Sequence, residues 1–250
     1  MKQLIEQLSY LKKEYNIAGI KQSFEDEGVT YDDVVTMRRI TELCGLPLFV
    51  KIGGCEAKTD IRNCINLGVD AVVAPMVETP FALSKFLGAV GEESPIQTLF
   101  LCESITACSN LNAIFSLPES SRLTGVIMGR SDFTKSLGLN KSEVDTEDVC
   151  TYVENVLKAS KKRKLITTIG GNISTKSSCF IKKMFQSKLL DKIETRNMII
   201  KLNAKNVDNL KETIRQALDF EINWLRYNSK SYANLSDEYI YRAGLLESRK

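Results

Sequence analysis

Short apolar runs alternate along most of the chain with segments whose apolar residues follow helical spacing. The runs cover residues 17–24, 46–52, 71–74, 165–169 and 191–202, and two more begin at Leu99 and Gly125. Their lengths suit buried strands, and helical patterns follow them. This alternation predicts β-α-β units, a parallel sheet and an α/β fold. About seven strands in a chain of 250 residues favour a TIM-type (β/α)8 barrel over an open sheet.

The remaining pattern predicts a single domain over residues 1–250. We expect an amphipathic helix over residues 1–15, a long one over 207–227 and a short C-terminal one over 238–249. The sequence contains no internal repeat, low-complexity run or linker. The hydrophobic fraction of 43% is sufficient for the core of one sizeable domain.

Charge, apolar runs and cysteine spacing limit the partners, the location and the covalent or metal cross-links that the sequence predicts. The net charge of +3 is small, and the basic residues 161–164 end an amphipathic helix, where cations complement the helix dipole, so we expect no nucleic-acid partner. The sequence has no apolar run of the ~20 residues needed for a membrane span and no signal-peptide core, which predicts a cytoplasmic protein without a membrane partner. Seven cysteines without a C-x-x-C pair argue against a disulfide framework and against structural zinc.

The sequence contains no histidine. This excludes Ser-His and Cys-His catalytic groups, histidine-bound zinc and an imidazole general base. Proton transfer is therefore left to carboxylates, lysine, tyrosine or a water molecule on a metal ion.

Two consecutive strands end in a carboxylate. The segment at 99–106 (LFLCESIT) contains Glu103, and the segment at 124–138 (TGVIMGRSDFTKSLG) contains Asp132. In a parallel α/β protein both acids lie at the carboxyl ends of neighbouring strands, where such enzymes build their sites. A pair of carboxylates suits a hard cation such as Mg²⁺. The alternative is that each acid only caps a helix.

Together with residues 49–54 (FVKIGG) and 68–79 (GVDAVVAPMVET), these segments resemble the metal-dependent HpcH/HpaI aldolase and citrate lyase family. The resemblance runs from about Phe24 to Leu139 and continues more weakly through Gly170, Gly171 and residues 194–196. It implies a TIM barrel that begins with a strand, whereas this chain begins with a helix. One strand is therefore missing, replaced, or hidden in the irregular stretch at 228–234.

The resemblance also implies a reaction and a site. Glu103 and Asp132 would hold Mg²⁺ or Mn²⁺, which chelates a pyruvate-like unit and stabilises its enolate. Backbone N–H groups around Gly129, Arg130 and Ser131 would hold the substrate carboxylate. For the Arg130 side chain, contact with a substrate anion and a salt bridge to a nearby acid both remain open.

Two positions depart from the family pattern. Lys51 stands where the aldolases place an arginine beside the enolate oxygen, so the charge is kept without the two-pronged guanidinium geometry. Asp26 lies in the loop where they carry the catalytic histidine. Either Asp26 or a metal-bound water would then move the proton, or the acids at 25–27 form only a solvated turn.

We therefore predict a carbon–carbon lyase that acts on a small 2-oxo acid and assembles as a homo-oligomer through its C-terminal helices. The two retained ligand acids favour catalysis. The loss of the histidine and the arginine favours the alternative, a catalytically altered barrel that binds a small carboxylate or phosphate ligand or a partner protein.

Overall fold

The computed structural model describes residues 1–248, except for the side chain of Asp26. The strands are β1 (Ile17–Ser23), β2 (Leu48–Lys51), β3 (Ala71–Ala74), β4 (Gln97–Cys102), β5 (Gly125–Gly129), β6 (Ile166–Gly170), β7 (Lys192–Glu194) and β8 (Met198–Lys201). The helices are α1 (Lys2–Tyr15), α2 (Phe24–Glu27), α3 (Tyr31–Leu43), α4 (Lys58–Asn66), α5 (Pro80–Val90), α6 (Ile105–Ser116), α7 (Arg130–Ser136), α8 (Glu147–Lys162), α9 (Ser178–Gln186), α10 (Ala204–Asp208) and α11 (Leu210–Glu247).

The eight strands close into one barrel in chain order, which confirms the predicted TIM-type architecture. Each pair of consecutive strands from β1–β2 to β6–β7 is parallel. A small layer of apolar side chains, which includes Phe49, Leu99 and Ile127, fills the inside of the barrel below its carboxyl-end mouth. A larger apolar layer lies between the strands and the helices. Several helices begin at a residue whose side chain accepts a hydrogen bond from the first turn, such as Thr30 before α3 and Ser104 before α6.

The missing strand is replaced by a hairpin. The run at 191–202, which we predicted as one strand, turns at residues 195–197, and its second arm β8 pairs antiparallel with both β7 and β1. Residues 228–234, the other place considered for it, lie within α11. The turn forms because Glu221 of α11 accepts hydrogen bonds from the N–H groups of Asn197 (2.6 Å) and Met198 (3.1 Å).

The C-terminal region is also more continuous than the pattern predicts. The short α10 precedes α11, a single helix of 38 residues that includes both segments expected as separate helices. Its first half packs on the barrel through Phe220 and Trp224, whereas its side chains beyond residue 228 are exposed. Among the helices of the described chain, none combines the length and apolar character needed to cross a membrane.

Candidate active site

Four buried charged residues lie at the carboxyl-end mouth of the barrel. Lys21 (β1), Lys51 (β2), Glu103 (directly after β4) and Glu194 (β7) are each at most 9% exposed. Together with Asp132 they line a cavity of about 420 Å³. Charged side chains are seldom buried unless they are paired, so this concentration marks the mouth of the barrel as a candidate site.

Glu103 contacts the protein through both of its oxygens. Its Oε1 accepts a hydrogen bond from the Met76 N–H (3.0 Å), and its Oε2 lies 3.9 Å from Lys51 Nζ. Burial is the largest influence on its pKa, which is raised, and the negative charge of Asp132 adds to this. The cation of Lys51 and the Met76 hydrogen bond oppose the shift without cancelling it.

Asp132 is in the first turn of α7 and is more accessible than Glu103. Its side chain is 32% exposed, and Oδ1 lies 3.3 Å from Lys135 Nζ, one turn further along the helix. The side chains of Asp132 and Glu103 come from the ends of adjacent strands and line the same cavity. The expected juxtaposition of the two acids is therefore present.

This pair of carboxylates fits a hard divalent cation. Carboxylate oxygens are the donors that such ions prefer, and a cation between them would relieve the repulsion that helps to raise the pKa of Glu103. Within the described part of the chain, no group of three or more His, Cys, Asp or Glu residues is arranged to bind a metal. The remaining coordination positions would thus fall to water and substrate oxygens.

Two glycines allow the close packing of this wall. A Cβ atom at Gly129 would lie 2.8 Å from Glu103 Cβ and 3.0 Å from its Oε2, so a larger residue would displace the acid. Gly171 has φ +79°, and a Cβ there would lie 2.4 Å from the Ser131 nitrogen. Gly129, Ser131 and Gly171 all line the cavity.

The Arg130 side chain lies inside the protein and is not among the described residues that line the cavity. It is fully buried, and its Nη1 lies 2.6 Å from Asp145 Oδ1. The guanidinium also donates to Ser177 Oγ (3.2 Å) and to the Gly171 carbonyl (3.2 Å). Of the two alternatives left open, the structure shows the salt bridge, which joins α7 to Asp145 just before α8, while the hydrogen bonds to Gly171 and Ser177 join it to the segment after β6.

Lys21 and Glu194 form an ion pair that the sequence analysis did not identify. Lys21 Nζ donates to Glu194 Oε1 across the mouth of the barrel. Burial alone would lower the pKa of Lys21, but the charge and hydrogen bond of Glu194 outweigh it and raise that pKa. A lysine within the apolar run at 17–24 was the available signal, because an unpaired lysine is rarely placed inside a barrel.

The Asp26 side chain lies outside the described residues, so its expected catalytic position stays a prediction. Its backbone belongs to α2, at the carboxyl end of β1. The next acid, Glu27, lines the cavity, where its Oε1 lies 3.5 Å from Arg196 Nε and its Oε2 accepts from Asn197 Nδ2 (3.1 Å). At least this member of the acidic loop is therefore part of the barrel mouth.

Comparisons with known proteins agree with this fold. The model of the HpcH/HpaI aldolase/citrate lyase family matches residues 34–182, which is more than half of the chain. The search of curated proteins found no match. Solved structures that are similar include an HpcH/HpaI aldolase from Desulfitobacterium hafniense DCB-2, with 12% identity, TM-score 0.62 and coverage of 76% of this chain and 80% of that chain.

Two further structures have the same architecture. The citrate synthase SbnG is 10% identical with a TM-score of 0.62, and the match covers 86% of this chain and 89% of that chain. A citrate lyase from Burkholderia xenovorans LB400 is 11% identical with a TM-score of 0.59, covering 85% of this chain and 74% of that one. At these identities the likeness concerns the fold alone.

Proposed function

Because the chain belongs to the HpcH/HpaI aldolase/citrate lyase family, we propose that it is a carbon–carbon lyase that acts on a small 2-oxo acid and depends on Mg²⁺ or Mn²⁺. Family membership supports a lyase type of reaction. The observation that carries the finer proposal is the position of Glu103 and Asp132, which project from adjacent strand ends into one cavity beside Lys51.

The proposed roles follow from these positions. Glu103 and Asp132 would hold the cation, which supplies Lewis-acid stabilisation of an enolate when it is bound. The charged Nζ of Lys51 lies at the same wall of the cavity, 3.9 Å from Glu103 Oε2. It would stabilise the negative charge that develops on the ketone oxygen as the enolate forms. As an ammonium, Lys51 acts as a point charge rather than as a bidentate clamp.

The substrate carboxylate is assigned to the backbone around Gly129, Arg130 and Ser131. Gly129 and Ser131 line the cavity, and the N–H groups at the start of α7 favour negative charge. Arg130 contributes through its backbone only, because its guanidinium is bonded elsewhere. Asp26 keeps its proposed role in proton transfer at the substrate carbon.

Titration calorimetry with Mn²⁺ and oxalate, a mimic of the pyruvate enolate, tests this proposal. We expect oxalate to bind only with the metal present. Glu103→Gln and Asp132→Asn should each weaken Mn²⁺ binding by at least about tenfold, since even outer-shell partners of a metal contribute 10–100-fold. Glu56→Gln is the matched control, because Glu56 is an exposed acid that pairs with Lys58 and Lys85.

Oxalate binding that does not depend on a divalent cation would defeat the lyase proposal. Metal-dependent oxalate binding by a protein that turns over no mixture of pyruvate and aldehyde would instead identify the alternative, a barrel that binds a small carboxylate without catalysis. The departure at Lys51 and the absence of histidine are the features that favour this alternative. The cytoplasmic location and the homo-oligomeric state remain predictions.

A further inference from the structure

Glu194 has one carboxylate oxygen without a hydrogen-bond partner. The residue is 2% exposed and lines the cavity that contains Glu103 and Asp132. Its Oε1 accepts from Lys21 Nζ, but no described residue donates to the buried Oε2. A buried charged acceptor without a donor is costly, so native structures seldom leave one unless a ligand or water completes it.

The surroundings of Glu194 fix it in this position. A Cβ atom at Gly170 would lie 2.6 Å from Glu194 Oε1 and 2.8 Å from its Cγ, so the side chain packs directly over the glycine backbone. Lys21 donates to this same oxygen, Oε1. The Glu194 carboxylate is therefore held in place at the cavity wall, and its Oε2 can still accept a hydrogen bond.

Cleavage of an aldol needs such an acceptor. A 4-hydroxy-2-oxo acid breaks between C3 and C4 only when its hydroxyl loses a proton, and this chain has no histidine to receive it. Lys51 and Lys21 are both cations engaged with carboxylates, so they are poorly suited to accept a proton. Glu194, by contrast, has one fully buried carboxylate oxygen that accepts no hydrogen bond from the described residues.

We propose that Glu194 is the catalytic base that takes the hydroxyl proton of the substrate, an inference that rests on the proposed lyase function. The O–H bond breaks toward Glu194 Oε2, the C4–O bond becomes a carbonyl, and the electrons of the C3–C4 bond form the pyruvate enolate. The aldehyde then leaves. C3 of the enolate then takes a proton through Asp26, the group proposed for proton transfer at the substrate carbon, which gives pyruvate. Glu194 releases its proton to solvent, which restores its carboxylate. No external oxidant or reductant is needed.

The test compares two reactions that form the same enolate. Decarboxylation of oxaloacetate breaks a carbon–carbon bond without removing a hydroxyl proton, whereas cleavage of a 4-hydroxy-2-oxo acid requires that removal. The probes are oxaloacetate and a panel of 4-hydroxy-2-oxo acids that begins with 4-hydroxy-2-oxopentanoate, all with Mn²⁺. The variant is Glu194→Gln, whose amide oxygen still accepts from Lys21 and whose shape is unchanged.

We expect Glu194→Gln to lower kcat/KM for aldol cleavage by roughly 100-fold or more, the usual contribution of a general base, while oxaloacetate decarboxylation stays within a few-fold of the parent. Retained decarboxylation also shows that the variant is folded. Glu56→Gln, a change at an exposed acid that does not line this cavity and pairs with Lys58 and Lys85, is the control and should alter the ratio of the two activities little.

Three results would overturn the inference. The first is aldol cleavage by Glu194→Gln within tenfold of the parent protein, and the second is an equal loss of both activities. The third is a parent protein that decarboxylates oxaloacetate but cleaves no member of the panel, because no hydroxyl proton then has to be removed. A parent protein without either activity would instead refute the proposed lyase function itself.

Discussion

Replacing Glu221 by alanine should release the hairpin that completes the barrel. Glu221 is 6% exposed, and its Oε1 accepts from the Asn197 N–H, the Met198 N–H and the Thr195 hydroxyl. These groups form the turn between β7 and β8. A single carboxylate of α11 therefore satisfies the donors of a turn whose sequence contains no glycine or proline.

The size of the expected loss in stability depends on which acceptors remain for each donor once Glu221 is replaced by alanine. The Met198 N–H keeps a second acceptor, the Thr195 hydroxyl at 3.3 Å, whereas no other described acceptor is bonded to the Asn197 N–H. One buried N–H without a partner costs about 1–3 kcal/mol, and two further hydrogen bonds to a charged group are lost. We expect Glu221→Ala to lower the free energy of unfolding by about 2–4 kcal/mol.

Urea unfolding followed by circular dichroism measures this change. Glu221→Gln keeps an acceptor oxygen in place and should cost about 1 kcal/mol, because only the charge is removed. Asp219→Ala, at an exposed position two residues earlier on α11, is the control and should change the stability by less than about 0.5 kcal/mol. A loss below about 1 kcal/mol for Glu221→Ala would refute the reasoning, since water would then replace the carboxylate.

Two further predictions concern the pairing of Asp191 with Lys161 and the exposed second half of α11. Burial alone would raise the pKa of Asp191, but Lys161 and the Thr167 N–H lower it below 3.8, so the pairing stabilises the fold above that pH and is lost as the pH falls through the lowered pKa. Asp191→Asn should therefore be less stable than the parent near pH 7, and the difference in urea unfolding should shrink as the pH falls below 3.8; a difference that stays constant would contradict this. Removal of residues 228–250 should dissociate the predicted homo-oligomer, because this segment carries the exposed apolar side chains Leu235, Ile240 and Leu246 of α11. Light scattering measures the particle mass, and an unchanged number of chains per particle after the truncation would contradict this prediction.

Features set by local pattern could be predicted from the sequence. Strand–helix alternation is a local signal, and it led to the barrel and to the placement of Glu103 and Asp132 at adjacent strand ends. Features set by distant partners could not. The turn at 195–197 depends on an acid 24 residues away from Asn197, and the buried Arg130 side chain donates to the carbonyl of Gly170 at the end of β6, 40 residues away. Neither partner is visible from the local sequence.

The replacement of a parallel strand by a hairpin has a direct consequence for the site. In a regular β-α-β barrel the end of β7 leads into a loop and a helix, whereas here the chain turns back at once and α11 covers the turn. Glu194 therefore stands beside a turn that is bonded to Glu221, and both residues line the cavity. The ion pair of Glu194 with Lys21 links this hairpin to β1, which closes the barrel on the side of the acidic loop.

The charges at the barrel mouth also indicate which ligands should bind together. Lys21 pairs with Glu194, Lys51 with Glu103 and Lys135 with Asp132, so these three pairs carry no net charge. Adding a divalent cation alone would place two uncompensated positive charges in a half-buried site.

A 2-oxo acid enolate carries two negative charges, one on its carboxylate and one on the enolate oxygen. Oxalate also carries two negative charges. Because charge is costly in such surroundings, Mn²⁺ and oxalate should each bind more tightly in the presence of the other, and pyruvate, with a single charge, should show weaker coupling to the metal. Equal coupling of oxalate and pyruvate to Mn²⁺ in calorimetry would show that charge balance does not select the enolate.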